Sequence, residues 1–354
     1  MIRFKKTCID INNKCEAASV FDTNDNGVPD IVCGEYKYAG PDFTTKSKIC
    51  DINYEHGYIW DFSNYPMDVN KNGFMDVITA SWWGEGLYRR VNPGPAGGKW
   101  ETELVCELGN VETLRFYDID GDGEVEIFPN CPGQPVCFIK VEDGHFKKYV
   151  ISAEAAGHGL GVGDIDGDGL LEVITTKGVL HMPKGGAFSG LWDFTEEFDL
   201  GPGTSVPILV HDVNKDGVAD LIYGAGHDYG LFWMEQKVGA GGQRTWQKHV
   251  IDGAWSQYHD MQLVDIDNDG ELELLTGKRW MAHNGNDPGD SREVFICYYK
   301  FAGDNMYRHI IDYGDPEGGA SGLGIYFWTA DLTGNGKLDI VAPGKEGLYL
   351  FTQI

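Results

Sequence analysis

The chain has 354 residues, of which 42% are hydrophobic, and a formal net charge of −27 at pH 7. Such an excess of acids argues against a nucleic-acid partner, because phosphate binding requires a basic surface. No apolar run in the sequence is long enough to cross a bilayer, so no membrane partner is expected either.

The first predicted element is a strand over residues 4–9, Phe-Lys-Lys-Thr-Cys-Ile. Similar segments at residues 146–151, 246–251 and 307–312 each precede an acid-rich loop, and they are interpreted as the outermost strands of repeated sheets. The chain ends on a strand at residues 347–351 that lacks a fourth partner. We therefore expect residues 4–9 to complete the last sheet and close a ring, which removes exposed sheet edges.

Between these ends, an acid-rich loop occurs seven times. Each copy has oxygen-bearing side chains at alternate positions, a glycine at position six, an acid at position nine and then a hydrophobic strand. The copies begin at Asp22, Asp68, Asp118, Asp164, Asp212, Asp265 and Asp331. Intervals of this size, with several short strands in each, are typical of propeller blades. The sequence therefore predicts an all-β fold, a closed seven-bladed β-propeller forming a single domain over residues 1–354.

The seven loops follow the local pattern of calcium-binding loops, with alternating oxygen ligands and a turn glycine. Loops three, four and six are the best candidates for a structural Ca²⁺ because each carries four acids. These acids are Asp118, Asp120, Asp122 and Glu126; Asp164, Asp166, Asp168 and Glu172; and Asp265, Asp267, Asp269 and Glu273. The alternative is that several of the loops hold no ion.

A second group of residues is predicted to meet on the face opposite the acid-rich loops. In a propeller, that face carries the start of each first strand and the loop after each second strand. Four of these residues stand six positions before a loop acid, namely Glu16, Glu112, His158 and His259. The loops after second strands supply Trp82, Trp83, Asn130, Lys177, His181, His227, Asp228, Tyr229, Lys278, Arg279 and His283. So many titratable groups in one concavity are typical of an active site, whereas His145, His211, His249 and His309 are interpreted as structural.

The acid-rich loops resemble the FG-GAP or VCBS repeats of integrin-type and bacterial propellers. A narrower resemblance lies in Gly157-His-Gly-Leu-Gly161, Gly226-His-Asp-Tyr-Gly-Leu231 and Thr276-Gly-Lys-Arg279 with His283-Asn-Gly285. These segments are similar to single-propeller proteins of carbohydrate-degrading bacteria and to the propeller module of aldos-2-ulose dehydratase. Propeller lyases that cleave rhamnose from glucuronate are a related precedent. The resemblance implies a metal ion in the propeller cleft and a histidine base that eliminates water from a keto sugar.

Metal-assisted β-elimination from a small carbohydrate, a keto sugar or a uronide, is the reaction that these residues suit. It needs a base, positive charge beside the enolate oxygen and an acid for the leaving oxygen. The Gly-His-Gly match predicts His158 as the base. A divalent ion such as Zn²⁺ or Mg²⁺, or Lys278 with Arg279, would hold the enolate oxygen, and Tyr229 would protonate the leaving group. Lys177 is included as a further catalytic candidate.

The predicted ligands of the catalytic ion are His227, His259 and His283, because their segments belong to the adjacent blades five and six. An exchange of roles between His158 and these ligands stays open. The residues expected to bind the substrate are Glu112, Trp82, Trp83, Asn130 and Asp228. Trp82 and Trp83 are equally consistent with core packing.

Two other functions remain as alternatives. One is a non-catalytic, calcium-containing propeller that binds carbohydrate or protein; it would be expected to repeat its binding residues in every blade, and the rim residues here differ from blade to blade. The other is glycoside hydrolysis by Glu16 and Glu112, which would leave the histidines unexplained.

Eight cysteines are scattered without a disulfide-rich or zinc-type spacing. Cys131 and Cys137 could pair, although free buried thiols are the simpler interpretation. The first residues lack the apolar core of a signal peptide, which predicts a cytoplasmic protein. Removal of an export signal from the mature chain would instead predict a secreted or periplasmic one.

Overall fold

The computed structural model describes residues 2–354 and consists of seven four-stranded antiparallel sheets, the blades of a propeller, plus one short hairpin. Strand β1 is Phe4–Asp10, blade one is β2 (Ala18–Phe21), β3 (Asp30–Cys33), β4 (Tyr36–Ala39) and β5 (Thr45–Lys48), and the hairpin is β6 (Tyr54–Glu55) and β7 (Tyr58–Ile59). Blade two is β8 (Tyr65–Met67), β9 (Asp76–Ala80), β10 (Gly86–Val91) and β11 (Glu101–Glu107), and blade three is β12 (Thr113–Tyr117), β13 (Glu126–Asn130), β14 (Pro135–Glu142) and β15 (His145–Ala155).

The remaining blades follow the same order. Blade four is β16 (Leu160–Gly163), β17 (Glu172–Thr175), β18 (Gly178–His181) and β19 (Asp193–Glu196), and blade five is β20 (Leu209–His211), β21 (Asp220–Gly224), β22 (Tyr229–Val238) and β23 (Arg244–Ser256). Blade six is β24 (Met261–Val264), β25 (Glu273–Gly277), β26 (Val294–Ala302) and β27 (Asn305–Gly314), and blade seven begins with β28 (Trp328–Ala330), β29 (Asp339–Gly344) and β30 (Gly347–Gln353). Short 3₁₀ turns occur at Gly94–Ala96, Ala282–Gly285 and Pro316–Gly318.

The N-terminal strand closes the ring, as the sequence predicts. β1 pairs antiparallel with β30, with Phe4 opposite Gln353 and Lys6 opposite Phe351, and it is the outermost strand of blade seven. The predicted outer strands at residues 146–151, 246–251 and 307–312 are likewise confirmed, since they lie in β15, β23 and β27. The all-β, seven-bladed fold is therefore confirmed.

All seven acid-rich loops connect the first and second strands of their blades, so they share one face. Their first carboxylate closes the loop on itself. In blade three, Asp118 accepts hydrogen bonds from the backbone N–H groups of Gly121, at 2.8 Å, and Gly123, at 2.9 Å. Gly123 has φ 89°, a left-handed conformation that a glycine adopts without a steric penalty. The ninth-position Glu126 accepts the N–H of Ile119 at 2.9 Å, which ties the loop to the second strand.

The hydrophobic core lies between neighbouring blades. The second strands of every blade except blade four are buried along their whole length, consistent with their continuous apolar runs. Between blades two and three, Tyr65 and Phe116 stack with ring centroids 3.7 Å apart. All eight cysteines are free thiols, including Cys131 and Cys137. Within residues 2–354, no helical segment has the length and hydrophobicity needed to cross a membrane.

Candidate active site

Four side chains from four different blades meet at the mouth of the propeller, on the face opposite the acid-rich loops. Glu112, His158, His227 and His259 each place one potential ligand atom within 4.8 Å of the others. The Oε1 atom of Glu112 lies 2.9 Å from Nε2 of His259 and 3.5 Å from Nε2 of His158. Nε2 of His158 in turn lies 3.1 Å from Nε2 of His227. The predicted convergence of these residues is therefore present in the structure.

The repeat explains how residues so distant in sequence come together. Glu112, His158 and His259 stand one or two residues before the first strands of blades three, four and six, and His227 lies in the loop between β21 and β22. The segment that carries His158 passes close to its neighbours. A Cβ on Gly159, which has φ 127°, would lie 2.9 Å from side-chain atoms of Thr176 and Thr204. Glycine at this position therefore permits the approach that brings His158 to the mouth.

The rings of His158 and His227 are both fixed through their Nδ1 atoms. Nδ1 of His158 lies 2.6 Å from the carbonyl oxygen of Thr204, and Nδ1 of His227 lies 2.9 Å from Oδ2 of Asp287. Both partners are acceptors, so each Nδ1 carries the proton and each neutral ring has its lone pair on Nε2. The two Nε2 atoms face each other, which is the arrangement that metal-binding histidines adopt.

Burial and neighbouring charges set the protonation of the cluster. Burial raises the pKa of Glu112, but the charge of His158 and the hydrogen bonds of His158 and His259 outweigh it and hold the pKa well below its ordinary value. Burial lowers the pKa of His158, but Glu112 outweighs this effect and the net pKa is raised. Burial, with the charge of His158, lowers the pKa of His227 to about 4. Burial and the charge of Arg279 lower the pKa of His259 well below its usual range. At neutral pH, His227 and His259 are therefore neutral beside a carboxylate.

These donors fit a divalent ion. Imidazole nitrogen and carboxylate oxygen bind Zn²⁺ at about 2.0–2.2 Å, so two ligands of one tetrahedral ion are separated by about 3.3–3.6 Å. The donor atoms of the cluster are separated by 2.9, 3.1 and 3.5 Å, so shifts of a few tenths of an ångström would bring all three distances into that range. The chemistry is also suitable, because neutral histidines with a carboxylate bind Zn²⁺ and other transition-metal ions.

A buried ion pair lies behind the cluster. Arg279 donates to both carboxylate oxygens of Glu16, at 2.8 and 3.3 Å, and the side chains are 2% and 4% exposed. The guanidinium also lies 3.9 Å from Oε1 of Glu112. Arg279 is thus at the predicted mouth, but it is too deeply buried to touch a substrate. Its position suits it to orient Glu112.

A second pair extends the site towards solvent. Asp287 binds His227 with one oxygen, and its Oδ1 lies 3.0 Å from Nδ1 of His283. The imidazoles of His227 and His283 stack with centroids 4.4 Å apart and planes 3° apart. His283 is 56% exposed and lies in a left-handed turn, with φ 45° at His283 and 55° at Asn284. Left-handed non-glycine residues are costly and concentrate at functional sites.

An aromatic wall stands beside this pair. Trp83 packs against Tyr58, at 4.7 Å between centroids, and edge-on against Phe62, at 5.8 Å. The ammonium of Lys345 lies 3.7 Å from the centroid of the Tyr58 ring and donates to the carbonyl of Met281 at 2.8 Å. Burial lowers the pKa of Lys345 to about 8. Trp82 also packs here, so the two tryptophans combine core packing with partial exposure at the mouth.

Four other predicted residues are not part of the cluster. Lys278 is buried, and its ammonium group donates to the backbone carbonyls of Gly289, Arg292 and Glu293. The hydroxyl group of Tyr229 packs against Gly289 and Ser256. Asp228 is exposed and accepts a hydrogen bond from the N–H of Tyr229, and Lys177 is exposed in the tight turn between β17 and β18. Asn130 does reach the rim, where its side chain donates to the carbonyl of Gly157 at 3.0 Å.

The prediction that His181 lies at the mouth is wrong. His181 ends strand β18 on the side of the acid-rich loops, and its Nδ1 is 3.9 Å from carboxylate oxygens of Asp166 and Glu172. The turn after the second strand of blade four is too short to hold it at the mouth. The structure instead adds Asp287, Tyr58 and Lys345 to the site. None of the three occupies a repeated position, so the periodicity carried no signal for them.

The comparisons with known proteins agree with the fold. Residues 118–175, which run from the third loop to strand β17, match the model of the FG-GAP-like repeat family. No curated protein sequence matches the chain. A solved structure of BBS1N in complex with ARL6DN aligns over 99% of this chain and 95% of its own, with 11% identity and a TM-score of 0.53.

Similar solved structures also include rhamnogalacturonan lyases. The exotype enzyme YesX aligns over 99% of this chain and 72% of its own, with 14% identity and a TM-score of 0.49. YesW aligns over the same shares with 15% identity and the same TM-score. At these identities the likeness concerns the propeller fold alone, and the function has to be argued from the site.

Proposed function

We propose that this protein is a carbon–oxygen lyase that performs metal-assisted β-elimination on a keto sugar or a uronide bound at the propeller mouth. The observation that carries the proposal is the convergence of Glu112, His158, His227 and His259 on one point beside an exposed histidine. β-Elimination requires a proton to be removed from a carbon next to a carbonyl or carboxylate, and the resulting enolate oxygen needs positive charge.

The cluster would hold a divalent ion through Glu112, His158, His227 and His259. That ion would supply positive charge to the enolate oxygen. The two other cations considered for this role are poorly placed, since Arg279 is bound to Glu16 behind the cluster and Lys278 is bound to backbone carbonyls. Arg279 instead acts as a positioning residue for Glu112.

His283 is the base in this proposal. Its Nδ1 is held by Asp287, and its Nε2 makes no hydrogen bond within residues 2–354, so this nitrogen is available to accept a proton. His158 is less suitable because both of its ring nitrogens lie against fixed groups. The geometry thus favours His283 as the base and His158 as a metal ligand, the reverse of the roles predicted from the sequence.

The leaving oxygen requires a proton donor, and Lys345 is suited to that role. It lies next to the turn that carries His283, donating to Met281 and, at 3.2 Å, to Asn284. A lysine whose pKa is about 8 is mostly protonated at neutral pH and gives up its proton more readily than an ordinary lysine. Tyr58 and Trp83 would pack against the apolar face of a sugar ring.

Glycoside hydrolysis is less well supported. That reaction needs one carboxylic acid that is protonated near neutral pH. The two candidates are Glu16 and Glu112. Glu16 is paired with Arg279, and the pKa of Glu112 is well below its ordinary value. Neither carboxyl group therefore suits the role of general acid.

The test measures ultraviolet absorbance of an unsaturated product after incubation of the metal-loaded protein with keto sugars and uronides. The expected result is a product band with the wild type, loss of turnover without loss of metal in His283→Asn, and loss of metal in His158→Asn. Binding of several sugars without formation of a double bond would overturn the lyase proposal in favour of a carbohydrate-binding propeller. Unchanged turnover in His283→Asn would overturn the assignment of the base.

A further inference from the structure

In two of the seven acid-rich loops a lysine side chain contacts three carboxylates at once, whereas Lys37 in blade one contacts only Thr23, at 3.0 Å, and Asp30, at 3.7 Å. In blade three, Nζ of Lys140 lies 2.7 Å from Asp120, 2.7 Å from Asp122 and 2.8 Å from Glu126. In blade six, Nζ of Lys300 lies 2.5 Å from Asp267, 2.8 Å from Asp269 and 3.5 Å from Glu273. Both ammonium groups therefore contact the third, fifth and ninth positions of the loop. These carboxylates are the ones that a calcium ion would need.

The two lysines occupy the same place in the blade. The pairing of Ile127 with Ile139 puts Glu126 opposite Lys140, and the pairing of Leu274 with Tyr299 puts Glu273 opposite Lys300. The corresponding residues in blades one, two, four, five and seven, read from the same strand pairings, are Ala39, Val91, His181, Glu235 and Thr352. Lysine thus stands opposite the ninth-position acid in blades three and six alone.

We propose that Lys140 and Lys300 are the resident cations of loops three and six, and that these two loops do not take up calcium. Calcium requires its oxygen ligands at about 2.3–2.6 Å, so it and an ammonium group hydrogen-bonded to the same carboxylates exclude each other. Each lysine is held by charge-assisted hydrogen bonds, which are stronger than neutral ones. Because each lysine is covalently attached to the chain, its ammonium group has a high effective concentration at the loop, whereas a calcium ion has to bind from solution.

Burial supports this assignment. The side chain of Lys140 is 13% exposed and that of Glu126 is fully buried, so the pair is shielded from solvent and from salt. Burial alone would lower the pKa of Lys140, but its hydrogen bonds to the three carboxylates raise it. Hydrogen bonds to Asp267 and Asp269 likewise raise the pKa of Lys300. Both side chains therefore stay charged over the physiological range.

Loop four provides the comparison within the same chain. It has four acids like loops three and six, but His181 stands opposite Glu172, and its Nδ1 is 3.9 Å from the nearest oxygens of Asp166 and Glu172. No ammonium group enters it within the described part of the chain. The only cationic side chain near loop four in the described part of the chain is Arg244, whose guanidinium is paired with Glu197 and lies 3.8 Å from Asp166. The three most acidic loops thus divide into two in which an ammonium group contacts three carboxylates and one in which no cation does so.

The test counts calcium ions bound per chain by equilibrium dialysis, for the wild type, Lys140→Met and Lys300→Met. Each variant is expected to bind one calcium more than the wild type, and its Tm should fall without calcium and recover when calcium is added. Lys147→Met is the control, since this lysine is 57% exposed on the outer strand of blade three and contacts only Glu142 and the Tyr149 ring. Equal calcium stoichiometry in all four proteins would overturn the proposal.

A second pair of variants keeps the proposal testable if a lysine variant fails to fold. Asp122→Asn and Asp269→Asn remove one carboxylate from loops three and six while the lysines remain. The expected result is an unchanged number of bound calcium ions. A loss of one calcium in either variant would show that the loop binds the ion, and the proposal would be wrong. These loops lie on the face opposite the mouth, so the result does not depend on the proposed lyase activity.

Discussion

His158 and His227 face each other through their Nε2 atoms, 3.1 Å apart, while the Nδ1 atom of each is held by an acceptor. Two neutral imidazoles in this orientation direct lone pairs at one another, which is unfavourable unless a cation or a proton lies between them. The carboxylate of Glu112, 3.5 Å from Nε2 of His158, adds negative charge at the same place. The site is therefore organised to attract positive charge.

Removal of one of these rings should strongly weaken metal binding. His227→Asn is expected to weaken the affinity for Zn²⁺ by more than about 100-fold, because changes to groups that only support metal ligands already cost about 10–100-fold. Isothermal titration calorimetry measures this change. His249→Asn is the matched control, since His249 lies on an outer strand and contacts Glu235. Equal affinity in the two variants would contradict the assignment of His227 as a ligand.

Asp287 should affect both the affinity for the metal ion and the activity of the base, His283. It fixes the Nδ1 proton of both His227 and His283, so Asp287→Asn is expected to weaken metal affinity by about 10–100-fold and to lower turnover even at saturating metal. The combination distinguishes a positioning role from a loss of metal alone. Asp228→Asn serves as the control because that side chain is exposed. Full recovery of turnover at saturating metal would show that His283 does not depend on Asp287.

The sequence could predict which residues of the site share one face, because the repeat shows the position of each residue within its blade. Glu112, His158 and His259 stand at the same offset from their loops, so closing the ring brings them together without any knowledge of side-chain contacts. His227 follows from the same logic, as the loop after a second strand opens on the same face. Regular geometry thus predicted that these residues converge, whereas the predicted roles were different: Glu112 was expected to bind the substrate and His158 to act as the base.

Other residues could not be placed by the repeat. Lys278 and Arg279 are adjacent, and successive residues of an extended chain point in opposite directions, so only one of the two could face the mouth. Asp287 lies in an irregular segment between β25 and β26, where neither a sequence periodicity nor the length of the segment predicts the direction of a side chain. Lys345 stands in the turn before β30, and its role depends on contacts with Met281 and Tyr58 that sequence spacing does not encode.

The buried ion pair between Arg279 and Glu16 should be important for stability. Arg279→Met leaves the Glu16 carboxylate buried without its partner, a change that costs about 3–5 kcal/mol. The double variant Glu16→Gln with Arg279→Met removes the uncompensated charge and is expected to recover part of this loss. Urea unfolding of both variants and the wild type measures the free energies. Equal destabilisation by the single and double variants would show that packing, rather than charge, dominates.

Glu346 should make the stability of the protein depend on pH. Burial raises its pKa to about 7 from an ordinary value of 4.5, and its Oε2 has no hydrogen-bond partner within the described residues. The folded state therefore binds the proton more tightly than the unfolded state. This group's contribution to stability is complete below about pH 4.5 and is lost as the pH rises through about 7.

Glu346→Gln removes this titration. Between pH 5 and pH 8, the wild type is expected to lose about 2 kcal/mol of unfolding free energy relative to the variant. Urea unfolding at the two pH values measures the difference. Parallel changes in the two proteins would mean that Glu346 keeps an ordinary pKa in the folded state.

Lys345 should set the alkaline limit of activity. As the proposed proton donor it must be protonated, so kcat/KM is expected to fall as the pH rises through about 8, the value to which burial lowers its pKa. Lys345→Gln should reduce kcat by about 10²–10⁴-fold and remove this limb of the pH profile. A substrate whose leaving oxygen is already acidic needs less help from a donor, so the loss should be smaller with such a substrate. An equal loss with good and poor leaving groups would show that Lys345 only supports the turn at Met281 and Asn284, because a structural defect does not depend on the basicity of the leaving group.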